Sequence, residues 1–193
     1  MIKAIIFDCF GVLTQDGWKV FLDSLNDEAA KASARSLNHQ YDAGQISLEK
    51  FLEGVKQATG RDYDIINSAR SSEGAKNTVL IEYIRQLKQD YKIGILSNVA
   101  TNWVRDYLLT EDEQALFDTM VFSFEAGTTK PDPKIYQTVL EQLDVKPEEA
   151  VFTDDAHHYC EAARQLGMKA ILYEDFDSFK RQLEPLLTAG PDN

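Results

Sequence analysis

Ala4-Ile5-Ile6-Phe7-Asp8-Cys9-Phe10-Gly11-Val12-Leu13 is an apolar, β-branched run stopped by one carboxylate and followed within three residues by glycine. A short continuous apolar run of this kind predicts a strand buried on both faces, as in a parallel sheet. It is far too short to span a membrane, which takes about 20 apolar residues, and it lacks the shape of a signal peptide. The position of Asp8 matters because open parallel sheets bind their ligands beyond the carboxyl ends of the strands.

Four further runs of the same character lie downstream, at residues 93–96, 120–122, 150–152 and 170–173. Helical patterns alternate with them. Residues 79–89 place Leu80, Ile84 and Leu87 on one face. Residues 133–143 open on Pro133, suited to a first helical turn, and bury Ile135, Val139 and Leu143. Residues 156–166 end before Gly167, a glycine suited to terminate a helix. Alternation of strand and helix predicts an α/β fold, a doubly wound parallel sheet built from right-handed crossovers.

The first crossover differs from the rest. Between Phe7 and Ile93 there is no second strand pattern, only helical patterning from about Trp18 to Arg70. Ser47 is placed to cap a helix through Phe51, Leu52 and Val55, and Gly44 to end the one before it. This predicts an inserted all-α unit at residues 15–74, over an α/β core formed by 1–14 and 75–193. Residues 68–74 (SARSSEG) have the composition of a linker, and residues 188–193 that of a frayed tail.

Composition narrows the function classes. The chain has 193 residues, 44% of them hydrophobic, enough to bury a sizeable core. Its net charge of -12 argues against a nucleic-acid binder, which needs a basic face to release counterions. Two cysteines, Cys9 and Cys160, are too few for a disulfide scaffold and fit a reducing, cytoplasmic setting. No membrane segment is expected, and the expected partner is a small molecule.

The chemistry lies in the residues just past each strand run. The first run ends in Asp8, the second in Ser97-Asn98, the segment after the third brings Lys130-Pro131, and the fourth ends in Asp154-Asp155. Three carboxylates in one crevice repel one another unless a cation is shared. Mg²⁺ suits such a site because it takes a few carboxylates and keeps several waters. With Lys130 it would neutralise a phosphoryl group, leaving Asp8 to attack phosphorus and form an aspartyl-phosphate that water hydrolyses.

These segments resemble the haloacid dehalogenase superfamily, most of whose members are phosphatases. The resemblance runs through Phe7 to Leu13, Leu96-Ser97-Asn98, Ser123 and Gly127 with Lys130-Pro131-Asp132-Pro133 and Ile135-Tyr136, and Phe152 to Asp155 followed by Glu161-Ala162-Ala163 and Leu166-Gly167-Met168. It covers nearly the whole chain. It implies a Rossmann-like core with a helical cap that selects substrate. It also implies Asp8 as nucleophile and metal ligand, with the Phe10 backbone carbonyl, Asp154 and Asp155 completing an Mg²⁺ site. Ser97 and Lys130 would hold the phosphoryl group, with Asn98 beside it on the substrate or its loop.

One position departs from the family pattern. Its phosphatases carry a second aspartate two residues after the nucleophile as general acid and base, and here that residue is Phe10. General acid–base help is worth roughly 10²–10⁴ in rate. Three outcomes are open: a phosphatase of a small phosphorylated metabolite with a good leaving group; a dehalogenase-like or carbon–phosphorus-cleaving hydrolase; or a catalytically impaired binding or regulatory protein. The second would need no acid for a halide, or a cap lysine such as Lys50 or Lys56, although both read as surface residues.

Several other residues have a plain structural reading. His157-His158-Tyr159 replaces a family pattern ending in Asn, and the two histidines read as solvated loop residues. His39 reads as an ordinary helix residue, and Thr128 and Thr129 as loop. Cys9 reads as a buried structural thiol, and Cys160 as an unactivated helix residue. Trp18 and Tyr41 face either the core or their own helices. Thr14 and Gln15 fall where a hinge is expected.

Overall fold

The computed structural model describes residues 1–188. Five parallel strands, β1 (Ala4–Phe7), β2 (Lys92–Ser97), β3 (Thr119–Phe122), β4 (Ala150–Asp154) and β5 (Lys169–Leu172), form one sheet in the order β3-β2-β1-β4-β5. All five expected runs are strands, with ends moved by one or two residues. β1 is central, pairing Phe7 with Ile95 of β2 on one side and with Thr153 of β4 on the other. The chain runs outward from β1 through β2 to β3 and then returns to the far side of β1. The strand order therefore reverses between β1 and β4, the place where open α/β sheets form their crevice.

The period of two along β1 builds two cores. Ile5 and Phe7 face one side with Ile93, Ile95, Val151 and Ile171, covered by α5 (Thr78–Leu87) and α10 (Phe176–Thr188) through Leu80, Ile84, Phe179 and Leu183. Ala4 and Ile6 face the other, with Phe152 and Leu96, under α8 (Pro133–Leu143) and α9 (His157–Gln165). Cys9 and Cys160 are buried free thiols, and burial pushes the Cys9 thiol well above its usual range. The helix expected over 79–89 is α5, the helix over 133–143 is α8 without change, and two short helices, α6 (Glu111–Gln114) and α7 (Ser123–Ala126), flank β3. Leu166 closes α9, and Gly167 after it has a positive φ of 94°. The closing helix α10 is not among the helices that the sequence pattern predicts, and 189–193 lie outside the described residues. Among the described residues no helix is long and apolar enough to cross a membrane.

Between β1 and α5 stand α1 (Gly17–Asp23), α2 (Glu28–Asp42), α3 (Leu48–Thr59) and α4 (Ile65–Gly74). Each starts on a side-chain cap: Asp16, Asp27, Ser47 and Asp64 accept from the first free backbone amides of their helices. Trp18 stacks on Phe21 and meets Phe51 at a tilt and Tyr63 edge-on, and Tyr41 lies flat on Phe51 with ring centres 4.8 Å apart. Trp18 and Tyr41 thus pack within the helical unit. The linker reading of 68–74 is wrong. Those residues are the body of α4, because Asp64 caps it and Ser72 is buried, giving a hydrogen bond to the Gln15 carbonyl at 2.8 Å. Small polar residues mark this helix as a linker only because its buried contacts are polar. The Thr14 hydroxyl donates to the Ser72 carbonyl, so Thr14 and Gln15 are both tied to α4.

Candidate active site

Asp8 comes directly after the last residue of β1, and its amide donates to the Thr153 carbonyl at 2.9 Å. That bond sets it beside the end of β4, where Asp154 and Asp155 emerge. One oxygen from each of Asp8, Asp154 and Asp155 lies within 4.8 Å of the others. The Lys130 ammonium sits among them, 2.5 Å from Asp154 Oδ2 and 2.9 Å from Asp8 Oδ1. Lys130 is 1% exposed and Asp154 0%, so this is a buried ion cluster rather than a surface pair.

The charges do not balance. Three carboxylates against one ammonium leave a formal excess of two negative charges. Burial works to lower the Lys130 pKa, but Asp154 and Asp8 together outweigh it and hold the ammonium charged. Its shorter contact is with Asp154, so Asp8 is less fully compensated. Burial pushes Asp8 up to about 8 despite the pull of Lys130. Asp155 is raised to about 6, by burial and by the charges of Asp154 and Asp16. All the donors are carboxylate oxygens, and the missing charge is that of one divalent cation. That donor set fits Mg²⁺.

Lys130 is held from several sides. Asn98, just past β2, accepts from the Lys130 amide at 2.8 Å and donates to its carbonyl at 3.1 Å. The same Asn98 NH₂ reaches the Tyr159 hydroxyl at 3.3 Å, and the Lys130 ammonium lies 4.8 Å from the Tyr159 ring centre. Tyr159 stands where the family pattern has Asn, and it braces Lys130 by its ring and Asn98 by its hydroxyl. His157 and His158 are not loop residues. They open α9 and are both exposed. Ser97 is fully buried, and its hydroxyl has no hydrogen-bond partner among the described residues, an unusual state for a buried polar atom.

Phe10 stacks on Trp103, with ring centres 5.7 Å apart. No described amide or side chain donates to its carbonyl. Gly11 next to it has φ +87°, and a Cβ there would lie 2.4 Å from the Asp155 carboxyl carbon. Only glycine lets the loop after β1 pass this close to that carboxylate.

The helical unit reaches the site through α2. His39 Nε2 and the Thr129 hydroxyl are 2.8 Å apart, and the Ser123 hydroxyl donates to the Asp42 carbonyl at 2.7 Å. His39 is therefore a contact between insert and core, and Thr129 is buried beneath it. Neither is legible locally, because each residue's partner is more than 80 positions away. On the other flank, Gly11, Gln15, Asp16, Lys19, Asp155 and Tyr173 line a cleft of about 530 Å³ between insert and core.

Comparison with known proteins places this arrangement. The chain is 23% identical to D-ribitol-5-phosphate phosphatase of Bacteroides thetaiotaomicron over 206 residues, covering 98% of this chain and 100% of that protein. It is 35% identical to pyrophosphatase PpaX of Bacillus mycoides over 187 residues, covering 88% and 82%. It is 32% identical to bifunctional epoxide hydrolase 2 of Sus scrofa over 127 residues, 62% of this chain but only 22% of that much longer protein. A haloacid dehalogenase (HAD) family enzyme of Bacteroides thetaiotaomicron, solved with magnesium and inorganic phosphate, superposes with a TM-score of 0.63. Identity to it is 20%, with 93% of this chain and 99% of that one covered. The haloacid dehalogenase-like hydrolase model matches residues 2–167. This chain belongs to the haloacid dehalogenase-like hydrolases.

Proposed function

We propose that the protein is a Mg²⁺-dependent phosphatase of a small phosphorylated metabolite, acting through an aspartyl-phosphate on Asp8. The observation that carries this reading is the gathering of three carboxylates, Asp8, Asp154 and Asp155, around the single ammonium of Lys130, a formal excess of two negative charges when all are ionised. Asp8, Asp154, Asp155 and the free Phe10 carbonyl would hold the ion. When bound, Mg²⁺ supplies charge neutralisation for the phosphoryl oxygens. The relatives named as phosphatases and the neighbour solved with magnesium and phosphate point the same way.

The chain's own groups divide the remaining work. Asp8, at the sheet's central strand end, is the nucleophile. Lys130 lies against it and takes up charge on the transferring group. The unpaired Ser97 hydroxyl donates to a phosphoryl oxygen. Asn98 spends its amide on the Lys130 backbone and so shapes the phosphate loop, presenting substrate to it indirectly. Residues 15–74 act as a cap on the core of 1–14 and 75–193, excluding water and reading the rest of the substrate. An exposed aspartyl-phosphate would otherwise hydrolyse without control, so a lid has a direct chemical purpose.

A panel of phosphate esters, acyl phosphates and pyrophosphate, assayed with Mg²⁺ and with chelator, tests the proposal. Phosphate release that disappears with chelator is expected. Chloride release from a 2-haloacid in chelator would overturn it in favour of carbon chemistry. A second test concerns Gly11. Gly11→Ala is expected to weaken Mg²⁺ binding by about 10–100-fold, because the new methyl displaces the Asp155 carboxylate. Titration calorimetry reads this directly, and unchanged affinity would remove Asp155 from the metal site.

A further inference from the structure

Transfer of the phosphoryl group to Asp8 leaves one proton without a source. The leaving oxygen departs as an alkoxide unless an acid protonates it, and Phe10 has no proton to give. We infer that Asp42, on the last turn of α2, is that acid, an inference that rests on the phosphatase function proposed above. As the bond from phosphorus to the leaving oxygen breaks and that from Asp8 forms, the Asp42 carboxyl gives its proton to the leaving oxygen. The Asp42 carboxylate then takes a proton from the water that attacks the aspartyl-phosphate. One proton leaves and one returns, so the cycle closes.

The placement of α2 carries this. The Ser123 hydroxyl that donates to the Asp42 carbonyl also accepts from the Val99 amide at 2.9 Å. One turn earlier, His39 meets Thr129. Val99 and Thr129 are the chain neighbours of Asn98 and Lys130, which are themselves bonded to each other. The turn from His39 to Asp42 is therefore seated on both halves of the Asn98–Lys130 bridge, and the Lys130 charge acts on the Asp42 carboxyl.

The surroundings of the Asp42 carboxyl suit an acid. Among the described residues its one hydrogen-bond donor is Asn38 Nδ2, at 2.8 Å from Oδ2. The charged and titratable groups around it are Asp16 from the loop before α1, Lys130 from the phosphate loop, Tyr63 from the loop before α4, Tyr159 from α9 and its own neighbour Tyr41. Burial, reinforced by Asp16, raises Asp42 to about 7, while Asn38 and Lys130 pull the other way. A group poised there is protonated for the first step and can be ionised for the second. Asp16 is the competing carboxyl, but its Oδ1 already caps α1, accepting from the Trp18 and Lys19 amides at 2.9 and 3.1 Å.

The test compares Asp42→Asn with the native chain in Mg²⁺, across leaving groups from acetyl and p-nitrophenyl phosphate to simple alkyl phosphates. The substitution is isosteric and keeps the backbone contact with Ser123. Because kcat/KM reports the steps up to phosphoryl transfer, it should fall about 10²–10⁴-fold for alkyl phosphates. For acetyl and p-nitrophenyl phosphate, which leave without help, it should fall less than about tenfold. The native profile for alkyl phosphates should decline above about pH 7, as Asp42 loses its proton, and Asp42→Asn should lack that limb. Adding Phe10→Asp to Asp42→Asn should restore alkyl phosphate turnover. An equal loss of kcat/KM on every leaving group, or an unchanged pH limb, overturns the inference while leaving the phosphatase function standing. A native chain that releases no phosphate from any substrate overturns both.

Discussion

Asp8→Asn is expected to lower phosphate release by about 10⁴-fold or more at saturating Mg²⁺. The amide keeps the size and most of the shape of the carboxyl group but has no lone pair basic enough to attack phosphorus. Stability should move in the opposite direction. Asp8 is raised to about 8 by burial, so in the metal-free protein its folded pKa stands above its unfolded value of about 4. Between those values the folded state binds more protons than the unfolded state, and stability falls as pH rises through the window. A neutral amide escapes that loss. Metal-free Asp8→Asn should therefore melt higher than the native chain at about pH 8, by about 2–4 °C for each kcal/mol relieved. Phosphate release and thermal melting together check it. A variant keeping more than a tenth of native activity would show that Asp8 is not the nucleophile.

Lys130→Met should be damaging in both respects. Among the described residues the native ammonium is the one cation paired with Asp8 and Asp154, and all three side chains are buried. Methionine fills the same channel without charge and leaves two carboxylates facing each other in a low-dielectric site. Removing one partner from a buried ion pair costs about 3–5 kcal/mol, which at this chain length lowers the melting temperature by roughly 6–20 °C. Because Mg²⁺ would bring charge to the same carboxylates, its addition should raise the melting point more in Lys130→Met than in the native chain. Activity should drop about 10²–10³-fold even with metal bound, since the charge on the transferring group loses one stabilising donor. Equal Mg²⁺ shifts in both proteins would show that Lys130 and the metal do not share ligands.

The two variants bear on residues whose importance is legible without any coordinates. Asp8, Ser97, Lys130 and Asp154 each come after a strand-like run, and such runs announce themselves through local composition. The resemblance of the same segments to a known superfamily agrees with that reading. Asp42 and His39 carry no comparable mark. Asp42 lies at the end of an ordinary amphipathic helix, and its partners Ser123 and Lys130 are 81 and 88 positions away in the chain. Tyr159 is legible only as a missing Asn, because ring and hydroxyl contacts to Lys130 and Asn98 leave no periodic trace. Residues 68–74 mislead for the converse reason: composition argues for a linker, and the buried contacts of Ser72 with Thr14 and Gln15 make a helix.

Local pattern is enough to predict the alternation of strands and helices, the run of helices between β1 and β2, and the positions of the carboxylates and the ammonium for which the catalytic roles are proposed. These come from apolar periodicity, which acts over a few residues, and from the general rule that the carboxyl ends of parallel strands face one crevice. Folding in three dimensions decides how α2 lies on the core, that Gly11 must yield space to Asp155, and that Ser97 is left without a partner. Such facts depend on distances between segments far apart in the chain, which packing of the whole molecule sets and no short stretch of residues encodes.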